Sequence, residues 1–286
     1  MKKLFRCLAT SVVRHLPEMY ETNIISLLQK FKALNLSQNI DFDKFNQYSI
    51  THHSSTIEGS TLTEIETRLL LDEGITPKGK PLLHSLMVQD HYNALLFVIN
   101  SSKEKISITP EFIQQINAGV MKQTGNIYNT VLGEIDAAKG LFRKGNVSAG
   151  NSYFVGYEKV KGLVKELCDK INYTLQEKAV IKQLNISFDA HFDLETIHPF
   201  YDGNGRASRL LMNYLQLHFD LPTAIVFKED KAEYFESLLQ TREQQDITIF
   251  RTFMSGQYAK YLRQEIEKFE QIKSTDKKGD GYSFIF

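Results

Sequence analysis

Cysteine is nearly absent from this 286-residue chain. Cys7 and Cys168 are the only two, and they offer neither a disulfide framework nor a zinc-binding spacing. Both read as free, buried thiols. Net charge is absent as well: 34 basic and 34 acidic residues cancel, which removes any general attraction to nucleic acid or to an anionic membrane. No apolar stretch reaches the length of a membrane span. The opening MKKLFRCLATSVVRHL has the basic residues of a secretory leader, but Arg6, Arg14 and His15 leave only Cys7 to Val13 as an apolar run, short for the core of such a segment. The expectation is a cytoplasmic protein. The phosphate-loop pattern GxxxxGK[ST] and the zinc pattern HExxH are missing too. His84 and His91, and likewise His191 and His198, are seven apart without the carboxylate spacing of a metal cluster.

Proline is scarce, at six residues, and helical periodicity dominates. Helices are predicted over about 8–34, 41–57, 63–73, 81–100, 109–121, 157–174, 177–195, 205–218, 231–244 and 247–272. Thr63 with Glu66 forms a capping box, Gly74 closes that helix, and Thr109 precedes Pro110 at a first helical position. Only 140–156 reads as a hairpin. The polar run at 273–281 is predicted to be a mobile tail, ending in Phe284, Ile285 and Phe286, which have the character of a docking end. The fold class is therefore mostly α, a helical bundle with a small β-hairpin flap.

The chemistry is concentrated in His198 to Arg209, HPFYDGNGRASR. Gly203 and Gly205 allow backbone conformations closed to other residues and close approach of a ligand. Leu210, Leu211, Tyr214 and Leu215 then recur at helical spacing, so the run is a loop feeding a helix N-terminus. Unpaired N–H groups and the positive end of the helix dipole favour phosphate there. Arg206 and Arg209, three apart, share a face and are expected to reach the same anion. Asp202 supplies the hard oxygen that Mg²⁺ prefers beside phosphates. His198 could take a proton from an attacking hydroxyl. Together these parts describe transfer from a nucleoside triphosphate.

This run resembles the signature HxFx[DE]GNGRxxR of the Fic family, matching at His198, Phe200, Asp202, Gly203, Asn204, Gly205, Arg206 and Arg209. The resemblance implies an enzyme that moves AMP from ATP to a protein hydroxyl. It implies His198 as the base and Asp202 as the Mg²⁺ ligand. It also implies Gly203, Asn204 and Gly205 around the α-phosphate, Arg206 on the β-phosphate side and Arg209 at the γ-phosphate, with Phe200 anchoring the loop. A kinase-like branch of the superfamily carries lysine at the second glycine, so the intact GNGR favours attack at the α-phosphate. Tyr234, four before Leu238, falls where the family lines its adenine pocket, and Arg242 stands where some relatives carry an amide beside the base.

Two further segments are similar to the same family. Ser54 to Gly59, SSTIEG, resembles the inhibitory motif [ST]xxxE[GN]; Ser54 and Glu58 are four apart on a helix that Gly59 ends. By resemblance Glu58 pairs with Arg209 and occupies the γ-phosphate site, the mark of a subclass restrained by a helix ahead of the core. GLFRKGNVSAG, 140–150, matches the family's flap at Gly140, Arg143, Val147 and Gly150. Its edge at Val147, Ser148, Ala149 and Gly150 is expected to hold a target segment by strand addition. The prolines that often follow are replaced here by Phe154 and Val155.

The expected organisation is an N-terminal helical region at 1–79 with the inhibitory helix near 41–59, a Fic core at 80–245, and a C-terminal helix and tail at 246–286. The expected function is a protein adenylyltransferase using ATP and Mg²⁺ on a Ser, Thr or Tyr hydroxyl of a target protein. Two alternatives stay open: a hydrolase that removes AMP with Glu58 orienting water, and a module that senses ATP without turnover. A homodimer is left open by the sequence, with no nucleic-acid or membrane partner expected.

Overall fold

The computed structural model describes residues 23–35, 42–149 and 152–276. Helix α1 covers 23–33. There follow α2 (Phe42–Ile57), α3 (Glu64–Glu73), α4 (Leu82–Lys103), α5 (Pro110–Val120), strands β1 (Ile127–Thr130) and β2 (Gly133–Asp136), and strands β3 (Ser148–Ala149) and β4 (Ser152–Tyr153). The chain ends in α6 (Tyr157–Thr174), α7 (Val180–Ile197), α8 (Asn204–His218), α9 (Lys231–Gln244) and α10 (Ile247–Asp276). The mostly helical expectation is borne out.

Helix α8 is the centre of the bundle, packed on α4, α5 and α7, with α2 lying against both α4 and α8. Its apolar stripe of Leu210, Leu211, Tyr214 and Leu215 is fully buried. The opposite face is buried as well, so its polar side chains must find partners. Asn213 donates to the Ala224 carbonyl at 3.0 Å, and Gln216 accepts the Ala224 N–H at 2.7 Å. One hydrophobic core runs from Ile24 through Ile50, Leu95, Ile113 and Leu210 to Phe250 and Leu262.

Local signals place the helix ends. Thr63 accepts the Glu66 N–H while Glu66 reaches back to Thr63, and Gly74 sits at φ 70° after α3. Thr109 caps α5, with Pro110 in its first turn. Among the described residues no helix is long and apolar enough to cross a membrane.

Three expectations need correction. The stretch 140–156 pairs only at Ser148↔Tyr153 and Ala149↔Ser152, and its first limb is a loop. A second antiparallel hairpin, β1–β2, precedes it, with Thr130 facing Gly133 across a turn of Val131 and Leu132. Such an apolar turn carries none of the polar turn residues that announce a hairpin. Helix α10 continues to Asp276, so 273–276 is helix rather than tail. The ends of two predictions, 8–22 and 277–286 with Phe284 to Phe286, lie outside the described residues, as does Gly150.

Candidate active site

The site is assembled where α7 ends and α8 begins. Helix α7 stops at Ile197 because His198 takes the left-handed conformation, φ 51°. That geometry is rare for a non-glycine residue and costs about 1–3 kcal/mol unless its surroundings enforce it. Phe200 anchors the loop in the core at 1% exposure. Gly203, at φ 78°, is the N-cap of α8, and a Cβ there would lie 2.7 Å from Asn117 Nδ2 and 2.9 Å from Met121 Sδ. Only glycine fits.

Asn204 is braced rather than free. Its Oδ1 accepts the Phe200 N–H at 2.9 Å and its Nδ2 donates to the Phe200 carbonyl at 3.0 Å, closing the loop on itself. The anion-hole expectation therefore transfers from this side chain to its backbone N–H, which as the first of α8 has no intrahelical acceptor. Asp202 accepts the Gly203 N–H at 2.5 Å through Oδ1 and stands 3.5 Å from Arg206 Nη2; its carboxylate is 48% exposed. A half-solvated carboxylate at the mouth of a phosphate cradle suits Mg²⁺, which takes one or two such ligands and completes its shell with phosphate oxygens and water.

The two arginines diverge. Arg206 donates to the Val120 carbonyl at 3.1 Å and lies 3.1 Å from Met121 Sδ, tying α8 to the end of α5. Arg209 turns to α2: Nε donates to Ser54 Oγ at 2.9 Å, Nη2 to the Ser54 carbonyl at 3.1 Å and to Glu58 Oε1 at 2.6 Å. The expectation that both reach one anion does not hold at the level of contact: the two positions are only about 60° apart around the helix, but the end of α5 captures one fork and α2 the other. Electrostatically the two still converge. Burial pushes the Glu58 carboxyl up, but Arg209 and then Arg206 hold it below the usual carboxylate range.

Ser54, Glu58 and Arg209, separated by up to 155 positions, are thus brought together. Glu58 itself follows the last residue of α2, in the turn where Gly59 adopts φ 104°. Its Oε1 would lie 2.4 Å from a Cβ on Gly205, so the carboxylate covers the first turn of α8. Nη1 of Arg209 is buried with no hydrogen-bond partner among the described residues.

His198 is desolvated. Burial lowers its pKa to about 4, and Phe154 stacks on the ring with centroids 3.8 Å apart and planes at 12°. Its Nδ1 lies 3.4 Å from the Glu195 carbonyl and 3.7 Å from the Glu195 carboxylate. The imidazole is neutral at physiological pH and able to accept a proton. Glu195 accepts from Ser208 at 3.1 Å, and burial, followed by the nearby Glu58, raises its pKa to about 7.

Tyr234, expected at the adenine pocket, lies in the core. It is 1% exposed, its hydroxyl lies 2.8 Å from His191 Nε2, and its ring stands 6.0 Å from the Arg209 guanidinium. It backs Arg209 and offers no open face to a base. The flap residues Val147, Ser148 and Ala149 lie on the hairpin whose return carries Phe154 to His198.

Sequence reasoning missed Asn117, which holds the Asp202 carbonyl at 3.0 Å, as well as Glu195 and the stacking role of Phe154. Arg143 was matched without a role. Glu195, one turn before His198, carried the clearest unread signal.

A glycine-framed helix N-terminus with two buried arginines thus lies beside a desolvated histidine, under a hairpin. Residues 107–216 match the Fic/DOC family, so the chain carries a Fic/DOC domain over that stretch. It is similar to "Protein adenylyltransferase Fic" of Drosophila willistoni, 30% identical over 205 residues that make up 71% of this chain and 38% of that protein. The Drosophila virilis protein of the same name is 28% identical over 241 residues, 82% of this chain and 47% of that one. The chain thus spans less than half the length of these relatives. Among solved structures, Fic-1 (residues 134–508) of C. elegans is 26% identical with a TM-score of 0.72, covering 94% of this chain and 75% of that one. A Fic-domain-containing signaling protein of Bacteroides thetaiotaomicron, 23% identical with a TM-score of 0.74, covers 87% of this chain and 97% of its own. The Fic fold extends over nearly all the described residues.

Proposed function

We propose that this chain is a protein adenylyltransferase that moves AMP from ATP to a Ser, Thr or Tyr hydroxyl of a target protein, and that Glu58 restrains it. The observation that carries this reading is the 2.6 Å contact of Glu58 with Arg209 over the first turn of α8, where a triphosphate would need the same guanidinium.

In the reaction, the first N–H groups of α8 and Arg206 hold the phosphates, and Arg209 receives the γ-phosphate once Glu58 has left it. Asp202 would hold Mg²⁺, which would supply charge neutralisation to the phosphates. His198, neutral through burial, accepts the hydroxyl proton as the oxygen bonds to the α-phosphorus; the bond to the β-phosphate oxygen breaks and pyrophosphate leaves. The flap edge at 147–150 aligns the target segment. The similarity to curated adenylyltransferases, together with an unbroken GNGR, supports attack at the α-phosphate over phosphoryl transfer.

Labelled ATP tests the reading. The Glu58→Gly protein should transfer label from the α-phosphate and none from the γ-phosphate to protein, and His198→Ala in that background should transfer neither. Label arriving from the γ-phosphate, or release of AMP from a modified protein without any transfer by Glu58→Gly, would replace this reading with a kinase or a hydrolase.

A further inference from the structure

Arg143 lies in the loop ahead of β3, yet it is 2% exposed and its guanidinium engages three carbonyl oxygens rather than a carboxylate. Nε donates to the His198 carbonyl at 2.8 Å, Nη1 to the Gly145 carbonyl at 2.9 Å, and Nη2 to the Val155 carbonyl at 2.5 Å. Its backbone N–H adds a bond to the Pro199 carbonyl at 2.9 Å. Burying a cation without an anionic partner is costly, and three directed carbonyl dipoles are what make it tolerable here.

The three acceptors belong to three segments. His198 ends α7 in its left-handed turn, Gly145 is on the outgoing limb of the flap, and Val155 is on the returning limb. The residue before Val155 is Phe154, whose ring covers the imidazole. A second contact closes the same unit: a Cβ on Gly145 would lie 2.9 Å from the Tyr201 hydroxyl, so the flap sits directly on the signature loop. The flap therefore holds the histidine from two sides, by the backbone through Arg143 and by the ring through Phe154.

We propose that Arg143 is a positioning residue for the transfer reaction, locking the target-binding flap to the backbone of His198 so that flap geometry and presentation of the base are set together. The proposal rests on the reading of His198 as the base. The chemistry demands arginine: three divergent acceptors need the rigid fork of a guanidinium, whereas the single ammonium of lysine keeps the charge but cannot span them.

The test compares Arg143→Lys and Arg143→Met, both in the Glu58→Gly background, by ATP titration, by rate of self-labelling from α-labelled ATP, and by NMR titration of the His198 imidazole. Arg143 touches no phosphate-binding group, so ATP affinity should stay within about 3-fold, a change of well under 1 kcal/mol. Self-labelling should slow by about 10- to 100-fold even with lysine, the size expected when a reacting group is displaced by an ångström. In Arg143→Lys, which keeps the charge that itself lowers His198, the imidazole midpoint should rise above that of the Glu58→Gly parent as Phe154 loses its seat; the lysine variant alone carries this readout. Arg143→Lys that labels at the parental rate with an unmoved imidazole midpoint overturns the proposal. If Arg143→Met does not fold, the lysine variant decides alone. If the Glu58→Gly parent transfers nothing, the adenylyltransferase reading fails; the imidazole midpoint then decides the Arg143 clamp by itself, a rise supporting it and no change refuting it.

Discussion

His198 and Glu195 are one helical turn apart, and burial drives them in opposite directions. The imidazole is pushed down to about 4 and the carboxyl up to about 7. A neutral histidine suits a general base, and its loss typically costs ~10²–10⁴-fold in rate. His198→Ala should therefore abolish AMP transfer while an ATP titration remains close to the parental curve. Asp202→Ala should lose the Mg²⁺-dependent activity. Arg206→Ala should weaken ATP by the ~1.5–3 kcal/mol of a charge-assisted contact, read by calorimetry. Unchanged affinity for both ligands in these variants would remove Asp202 and Arg206 from the site. Because the imidazole is already neutral well below its ordinary range, the acid limb of a transfer–pH profile should lie below pH 6.5.

At the scale of elements, the proposed restraint rests on Ser54 in the last turn of α2 and Glu58 just past its end. Ser54 accepts from Arg209 Nε and presents its carbonyl to Nη2, so Ser54→Ala removes one of the bonds that aim the guanidinium at Glu58. The donor is a charged guanidinium, so the bond itself is worth about 1.5–3 kcal/mol, but the Glu58 contact remains; transfer should rise by up to about 10-fold, less than on loss of Glu58 itself. Initial rates of labelling would show it.

Most of the helices were legible. Predicted spans of 157–174 and 231–244 coincide with α6 and α9, whose buried residues Val160, Val164, Leu167 and Ile171, and Tyr234 and Leu238, recur at helical spacing. The hidden parts are those where local pattern gives way to tertiary contact. The β1–β2 turn is apolar Val131–Leu132, and Asn204 and Tyr234 point inward because Phe200 and His191 are there to receive them. The divergence of Arg206 and Arg209 was also unreadable, since it depends on Val120 and Ser54, distant in sequence. The contact between Glu58 and Arg209, by contrast, was inferred from the pairing of two short motifs by resemblance to a family, and local periodicity alone would not have found it.

The whole molecule responds to pH through buried histidines. Desolvation by burial lowers His52, His53 and His198 to about 4 each. Folded pKa values below the unfolded 6.5 mean stability that is full above pH 6.5 and lost as pH falls towards 4. Glu195 acts the other way: raised to about 7, it costs stability as pH climbs from 4.5 to 7. Burial lowers His91, His191 and His218 as well, so the histidines outweigh one carboxyl and the melting temperature should drop between pH 6.5 and pH 4, at about 1.4 kcal/mol per pH unit for each net proton. A flat melting profile over that window would show that these imidazoles are not held neutral.

Under the proposed function, the ion pair between Glu58 and Arg209 is the contact on which regulation turns. Glu58 and the γ-phosphate are two anions competing for one guanidinium. A charge-assisted bond of ~1.5–3 kcal/mol, at ~1.4 kcal/mol per tenfold, corresponds to suppression of roughly 10- to 100-fold. The direct measurement is the rate of AMP transfer from α-labelled ATP by the unmodified chain, by Glu58→Gly and by Arg209→Ala. The expected result is a rise of about 10- to 100-fold for Glu58→Gly and a fall for Arg209→Ala, although that change also frees Glu58. A Glu58→Gly protein no faster than the unmodified chain would contradict restraint by Glu58.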